Sequence, residues 1–218
     1  MHSLHLDIPS GRPPRLLCIG AHADDLEIGC GGTVLHLIRA YPGIHCRWVV
    51  WSGDETRTAE ARDSATKILA GAGRADVSVE RFRDGYFPDQ WAEIKQNFDA
   101  IRAEGRPDLI LTHHRHDRHQ DHRLLAELTW NTWRDDLILG YEIPKYEGDL
   151  STPNLYVPLD RATVDHKVEI LMTGFPSQRT KPWYDAETFR GLMRIRGVEG
   201  AAPGGYAEGF HAPKLSLT

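Results

Sequence analysis

Short runs of apolar residues recur along the chain, and most are followed by a stretch with helical periodicity. Residues 15–20 (RLLCIG) are nearly continuous in apolar side chains, the pattern of a strand covered on both faces. Residues 29–41 then carry Val34, Leu35, Ile38 and Tyr41 at helical spacing, entered through glycines and stopped by Pro42-Gly43. Residues 45–51 (HCRWVVW) are rich in β-formers, and residues 56–73 predict a helix with Ala65, Ile68 and Leu69 on its apolar face. The alternation continues with strands over 77–82 and 109–112, helices over 90–104 and 122–135, a strand over 136–143 and a helix over 160–172. Beyond these the chain is rich in Gly and Pro, with a short YAEGF segment near its end.

Strand and helix in alternation imply a three-layer α/β/α, Rossmann-like domain with a mostly parallel sheet and right-handed crossovers. A length of 218 residues suits one well-cored domain spanning 1–218, and no internal repeat or low-complexity linker divides it. In such sheets ligands bind beyond the carboxyl ends of the strands. Two polar clusters, AHADD after residues 15–20 and HHRHDRHQDH after residues 109–112, fall at that edge.

Composition narrows the function. With 40% hydrophobic and 26% charged residues and no apolar run near the roughly 20 residues of a spanning helix, the chain reads as a globular protein. The N-terminal MHSLHLDIPSGRPPR lacks the pattern of a secretory signal, so a cytoplasmic location is expected. A net charge of -5 argues against nucleic acid as a partner. Cys18, Cys30 and Cys46 show no CxxC spacing and read as buried thiols. Twelve histidines are the unusual feature, fitting a metal site or a catalyst that titrates near neutrality.

His22, Asp24 and Asp25 put an imidazole and two carboxylates on one turn. The aspartates equally suit N-capping of the next helix, and the histidine run equally suits a solvated loop. Zinc prefers tetrahedral nitrogen and oxygen donors with one position left for water, and His22, Asp25 and His122 supply such a set. Asp24 is then free to act as general base toward a metal-activated water. His119, three residues before His122, suits an imidazolium that stabilises the oxyanion or protonates the leaving amine. Asp121 would fix its tautomer and raise its pKa.

AHADD followed by LEIGCGGT and, about a hundred residues on, HQDH resembles the PIG-L/LmbE family of zinc-dependent de-N-acetylases. The resemblance covers most of the chain: residues 56–71 are similar to the family's R-x-x-E helix, PSQ at 176–178 to its third motif and YAEGF to its terminal segment. It implies one zinc ion per chain on His22, Asp25 and His122, Asp24 as base and His119 at the oxyanion. It also implies an N-acetylglucosamine-type sugar conjugate as substrate and points to Arg57 and the Asp84-Gly85 loop as substrate-binding. Ala23 and Gln120 stand where the family has prolines, so altered loop rigidity with preserved coordination is expected.

Other assignments stay open at this stage. Arg57 and Glu60 also suit a surface ion pair at i,i+3, and Asp84-Gly85 also suits a type I′ or similar turn. Glu142 faces the substrate edge if residues 136–143 form a parallel strand. His113, His114 and His116 read as rim or supporting groups, Lys167 and Gln178 as structural contacts, and Trp183, Tyr184, Tyr206 and Phe210 as packing of the tail in preference to a sugar-stacking lid. A two-metal phosphoesterase and a non-catalytic sugar-binding module are the competing functions. The sequence leaves homo-oligomerisation, the metal preference and the aglycone open.

Overall fold

A computed structural model describes residues 11–216. Within these residues seven strands form one sheet: β1 (Arg15–Gly20), β2 (His45–Val50), β3 (Arg74–Val79), β4 (Leu109–His113), β5 (Ile138–Tyr141), β6 (Leu155–Leu159) and β7 (Tyr206–His211). Their order across the sheet is β3-β2-β1-β4-β5-β7-β6. β1 to β5 run parallel, whereas β7 is antiparallel to both β5 and β6. The expected α/β class with a mostly parallel sheet is therefore what the chain adopts.

Among the described residues six α-helices connect the strands: α1 (Asp25–Ala40), α2 (Glu55–Ile68), α3 (Trp91–Ala103), α4 (Gln120–Thr132), α5 (Arg161–Gly174) and α6 (Ala186–Glu199). Two buried apolar clusters show the three layers. One joins α1, α2, α5 and α6 to the sheet through Leu26, Val34, Ile68, Leu171 and Met193. The other joins α3 and α4 to the opposite face through Ile94, Phe98, Leu125 and Leu128. Side chains alternate between the two, Cys18 facing one cluster and Leu17 and Ile19 the other, as strand pleating requires. Among the described residues no helix is long and apolar enough to cross a membrane. The first ten residues of the expected leaderless N-terminus lie outside the described residues.

Two expectations need correction. α1 starts at Asp25 instead of residue 29, so the GCGG glycines lie inside the helix. They are contact positions: a Cβ on Gly29 would lie 2.1 Å from the Tyr141 ring, and one on Gly32 would lie 2.9 Å from Glu208 Oε1. The Gly/Pro-rich tail, in which the sequence singles out only the short YAEGF segment, contains a helix and contributes to the sheet. β6 tolerates Pro158 because it is an edge strand, and α6 tolerates Gly197 because its backbone packs against Gly205, where a Cβ would sit 2.2 Å away. Tyr184 and Phe210 are buried in the first cluster, so the tail packs down as expected.

Candidate metal centre

The chain leaves β1 toward β2 and β3 on one side of the sheet and later lays β4 and β5 on the other, so β1 and β4 are neighbours whose connections diverge. That is a topological switch point, and both polar clusters stand at its carboxyl end. His22 to Asp25 make the turn between β1 and α1, where Asp25 N–H donates to His22 O at 3.3 Å. Asp24 occupies the N-cap position of α1, yet its side chain makes no capping hydrogen bond, so its carboxylate is free for other work.

Three donor atoms converge. His22 Nδ1 lies 3.2 Å from His122 Nε2 and 3.3 Å from Asp25 Oδ2, and His122 Nε2 lies 3.4 Å from the same Oδ2. Donors held about 2.0–2.1 Å from one ion at tetrahedral angles lie roughly 3.3–3.4 Å apart, so the triangle fits a single zinc-sized ion. Other sets also gather one donor per residue: Asp25, His113 and His122, and His22, His119 and His122. His113 is the weaker ligand, because its Nε2 already accepts from the Ala21 amide at 2.9 Å.

The electrostatics of the triangle follow from its charges. Burial alone would lower the His22 pKa, but the Asp25 charge and hydrogen bonds with Asp121, Asp25 and Asp84 hold it well above its ordinary value. His122 is also raised, burial being outweighed by Asp25 and Asp117. Asp25, against the upward pull of burial, is held well below the usual carboxylate range by His122, His113 and His22. Two imidazoles whose charged form is favoured thus surround one anionic carboxylate, a donor set suited to a divalent ion.

Neighbouring groups fix the ligands. Asp117 Oδ2 accepts from His122 Nδ1 at 2.9 Å, which leaves Nε2 as the donor toward an ion. Asp117 is itself anchored by Lys145 Nζ at 3.0 Å and the His119 amide at 2.8 Å. On the far side of His22, Nε2 lies 3.0 Å from Asp84 Oδ1 and 3.3 Å from Asp121 Oδ2. His113 stacks on His122 at 3.9 Å between ring centroids, and Tyr141 Oη, 3.2 Å from His113, donates to Ile19 O at 2.7 Å.

Asp24 and His119 complete the group. Burial raises the Asp24 pKa, while Arg57, whose Nη2 lies 2.6 Å from Asp24 Oδ1, offsets part of the rise. His119 Nδ1 accepts from the Asp121 amide at 3.3 Å, so its proton resides on Nε2. Burial and the positive charge of His122 and His22 lower its pKa, which keeps the ring neutral at neutral pH. The expected imidazolium is therefore a neutral N–H donor in the free site. Asp121 thus fixes the His119 tautomer through its amide, and its charge opposes the fall in pKa, while its carboxylate oxygens take the amides of Gly85 and Phe87 and face His22.

The family model described as PIG-L, GlcNAc-PI de-N-acetylase, matches residues 17–133. The chain belongs to the PIG-L family. It is 31% identical over 146 residues to the uncharacterized deacetylase YaiS of Escherichia coli (strain K12), covering 59% of this chain and 74% of that protein. Among solved structures it resembles N,N'-diacetylchitobiose deacetylase from Pyrococcus horikoshii, with a TM-score of 0.69, 20% identity and coverage of 95% and 86%. It also resembles GalB, the 4-carboxy-2-hydroxymuconate hydratase from Pseudomonas putida KT2440, with a TM-score of 0.72, 18% identity and coverage of 94% and 98%. Likeness at such identities establishes the fold; the reaction has to be argued from the site.

In this PIG-L member the remaining candidates divide. Arg57 is tied to Asp24, and Glu60 turns away to accept from the Ser177 amide and hydroxyl at 2.9 and 2.5 Å, so the two do not pair. Asp84 reaches the site from an exposed loop and is lowered to about 2, chiefly by its hydrogen bond with His22. Only Gly85 of that pair has positive φ (76°), so the turn is not type I′. Gln120, at a family proline position, donates to Gly85 O and so ties the start of α4 to this loop. Glu142 is corrected: both its oxygens are held by Arg196, at 2.8 and 2.9 Å, so its charge is matched inside the fold by a buried ion pair. Lys167 is structural, bonding Ile28 O and Glu208. Sequence reasoning overlooked Asp117 and Lys145; the signal for Asp117 was a carboxylate inside a histidine run.

Proposed function

We propose that this PIG-L/LmbE-type deacetylase holds one zinc ion on His22, Asp25 and His122 and hydrolyses the acetamide of an N-acetylglucosamine-type sugar conjugate. The observation that carries the reading is the 3.2–3.4 Å donor triangle with a separate buried carboxylate, Asp24, beside it. Bound there, such an ion would supply Lewis acidity to the amide carbonyl and lower the pKa of a water beside it. Asp24, raised by burial, takes the proton from the attacking water and returns it to the departing nitrogen, so acetate and a free amine leave. His119 donates Nε2–H to the developing oxyanion. Asp121 and Asp117 act as positioning residues, each facing the outer nitrogen of a ligand imidazole.

A phosphoesterase with two ions about 3.5–4 Å apart finds less support. The other donor set, His22, Asp84 and Asp121, shares the His22 imidazole, and Asp121 already accepts two backbone amides. The test is metal content together with acetate release from N-acetylglucosamine conjugates, on the wild type and Asp24→Asn. Near one zinc per chain in both, with acetate from the wild type alone, supports the reading. A chain that takes up no zinc when it is supplied, or an Asp24→Asn variant of undiminished activity, overturns it.

A further inference from the structure

A cavity of about 300 Å³ opens beside the metal centre, lined by His22, Asp84 and Arg57 and, farther out, by Ser52, Asp54, Arg81 and Arg83. Three guanidinium groups around one cavity are unexpected in a chain of net charge -5. Its two carboxylates offset only part of that charge, Asp84 acting on Arg57 through space. Asp54 accepts from the Arg57 amide at 2.8 Å as the N-cap of α2, and Asp84 faces His22 Nε2 at 3.0 Å.

The arginines retain unused capacity. Arg57 spends Nη2 on Asp24, and its buried Nε has no partner among the described residues. Arg81 and Arg83 are exposed, and among the described residues neither has a carboxylate within ion-pair distance. The Arg83 guanidinium lies 3.5 Å from the Tyr86 ring centroid, which holds the side chain at the cavity mouth without neutralising it. Lys181, close enough to depress the Asp24 pKa, adds positive potential from the tail. Low-dielectric walls lined by one sign of charge focus a field on a ligand of the opposite sign. Arginine's planar donors also match a carboxylate or phosphate bidentately.

We propose that the cavity lined by Arg57, Arg81 and Arg83 is an anion subsite, and that the substrate carries a carboxylate or phosphate on the part remote from its acetamide. This rests on the deacetylase reading of the adjoining centre and specifies its substrate class. Arg81 and Arg83 are the specificity-determining residues. Arg57 links the subsite to the base, since the same side chain faces both.

The test uses the zinc-loaded chain and three N-acetylglucosamine derivatives of similar size: the 1-O-carboxymethyl, 1-phosphate and 1-O-ethyl compounds. Acetate release gives kcat/KM, and calorimetry on Asp24→Asn gives Kd without turnover. The expected result is a preference of at least about 10-fold for one or both anionic compounds over the ethyl compound, the scale of a hydrogen bond to a charged group. The preference should shrink as salt rises and approach unity in Arg81→Ala/Arg83→Ala. Arg81→Glu, a single exposed change, serves the same comparison if the double variant folds poorly. Preference for the carboxymethyl or for the phosphate compound alone supports the subsite and identifies its anion. Equal kcat/KM for all three, or a preference untouched by the arginine variants, overturns the subsite and leaves the deacetylase standing. If none of the three releases acetate, the deacetylase reading fails for this substrate class, and the Kd values still decide: equal affinities overturn the subsite, and an anion preference lost with the arginines supports it.

Discussion

Arg57 Nη2 sits 2.6 Å from Asp24 Oδ1, joining the first turn of α2 to the N-cap of α1 across the mouth of the cleft. The pair is largely buried, with side-chain exposures of 19% and 6%, so the guanidinium acts on the carboxylate with little screening. It is the largest influence opposing the rise that burial imposes on Asp24.

Removing that charge should therefore move the pH profile. The base works deprotonated, so activity falls as pH drops through the Asp24 pKa. Arg57→Gln raises that pKa and should shift the acid limb of kcat/KM to higher pH, with Arg57→Lys shifting it less. If Arg57 instead served only to grip a sugar hydroxyl, KM would rise while the acid limb stayed in place.

The Asp117 carboxylate fixes the proton on His122 Nδ1, so Asp117→Ala should release the ring and lower metal affinity about 10- to 100-fold. Competition against a chelator measures this directly. His119 should lose its anchor as well, because its amide donates to Asp117 Oδ1. An unchanged affinity would show that packing against His113 suffices to orient His122.

Metal binding should release protons. His22 and His122 are held above their ordinary pKa in the ion-free site, so at neutral pH an incoming ion displaces protons from them. Affinity should rise with pH until it exceeds those pKa values, then level off. Calorimetry in two buffers of different ionisation enthalpy counts the protons. Binding without proton release would mean that the rings are already neutral.

Much of this architecture was legible because its signals are local. RLLCIG and LILT read as buried strands from apolar continuity alone, and their polar sequels had to share an edge once the sheet was parallel. The donors His22, Asp25 and His122 followed from residue chemistry and spacing. Long-range partners were the hidden part. Nothing near Glu142 in sequence announces Arg196, 54 residues away, and nothing near Asp121 announces the amides of Gly85 and Phe87. The start of α1 was obscured because its glycines face Tyr141 and Glu208, whereas periodicity counts them as breaks. α6 was missed because Gly191 and Gly197 dilute its apolar stripe.

Glu142 offers a clean separation of stability from binding. Glu142→Gln leaves the buried Arg196 guanidinium with a neutral partner, although Glu199 and Ser151 O still hold it. Breaking one partner of a buried pair typically costs several kcal/mol, and the remaining contacts reduce that here to on the order of 3 kcal/mol. Thermal melting should fall by several degrees with KM unchanged. A raised KM at unaltered Tm would return Glu142 to the substrate-binding set.

Gly29 and Gly191 form a matched pair of helical glycines with opposite expected outcomes. Nothing lies within 4 Å of a Cβ built on Gly191, so Gly191→Ala in α6 should gain helix propensity of up to about 1 kcal/mol. At Gly29 the same methyl meets Tyr141 Cδ2 at 2.1 Å and Cγ at 2.7 Å. Tyr141 is fully buried, and its hydroxyl is committed to Ile19 O, so the ring has no free direction in which to yield. Overpacking of this kind costs about 1–3 kcal/mol and outweighs the propensity gain. The strain should also reach the metal centre, because Gly29 lies one turn beyond Asp25 and Tyr141 contacts His113. Gly29→Ala should therefore lower both Tm and metal affinity, whereas Gly191→Ala raises Tm by roughly 1–4 °C and leaves the metal in place. Equal Tm values for the two variants would show that α1 and β5 are not packed as closely as the Gly29–Tyr141 contact requires.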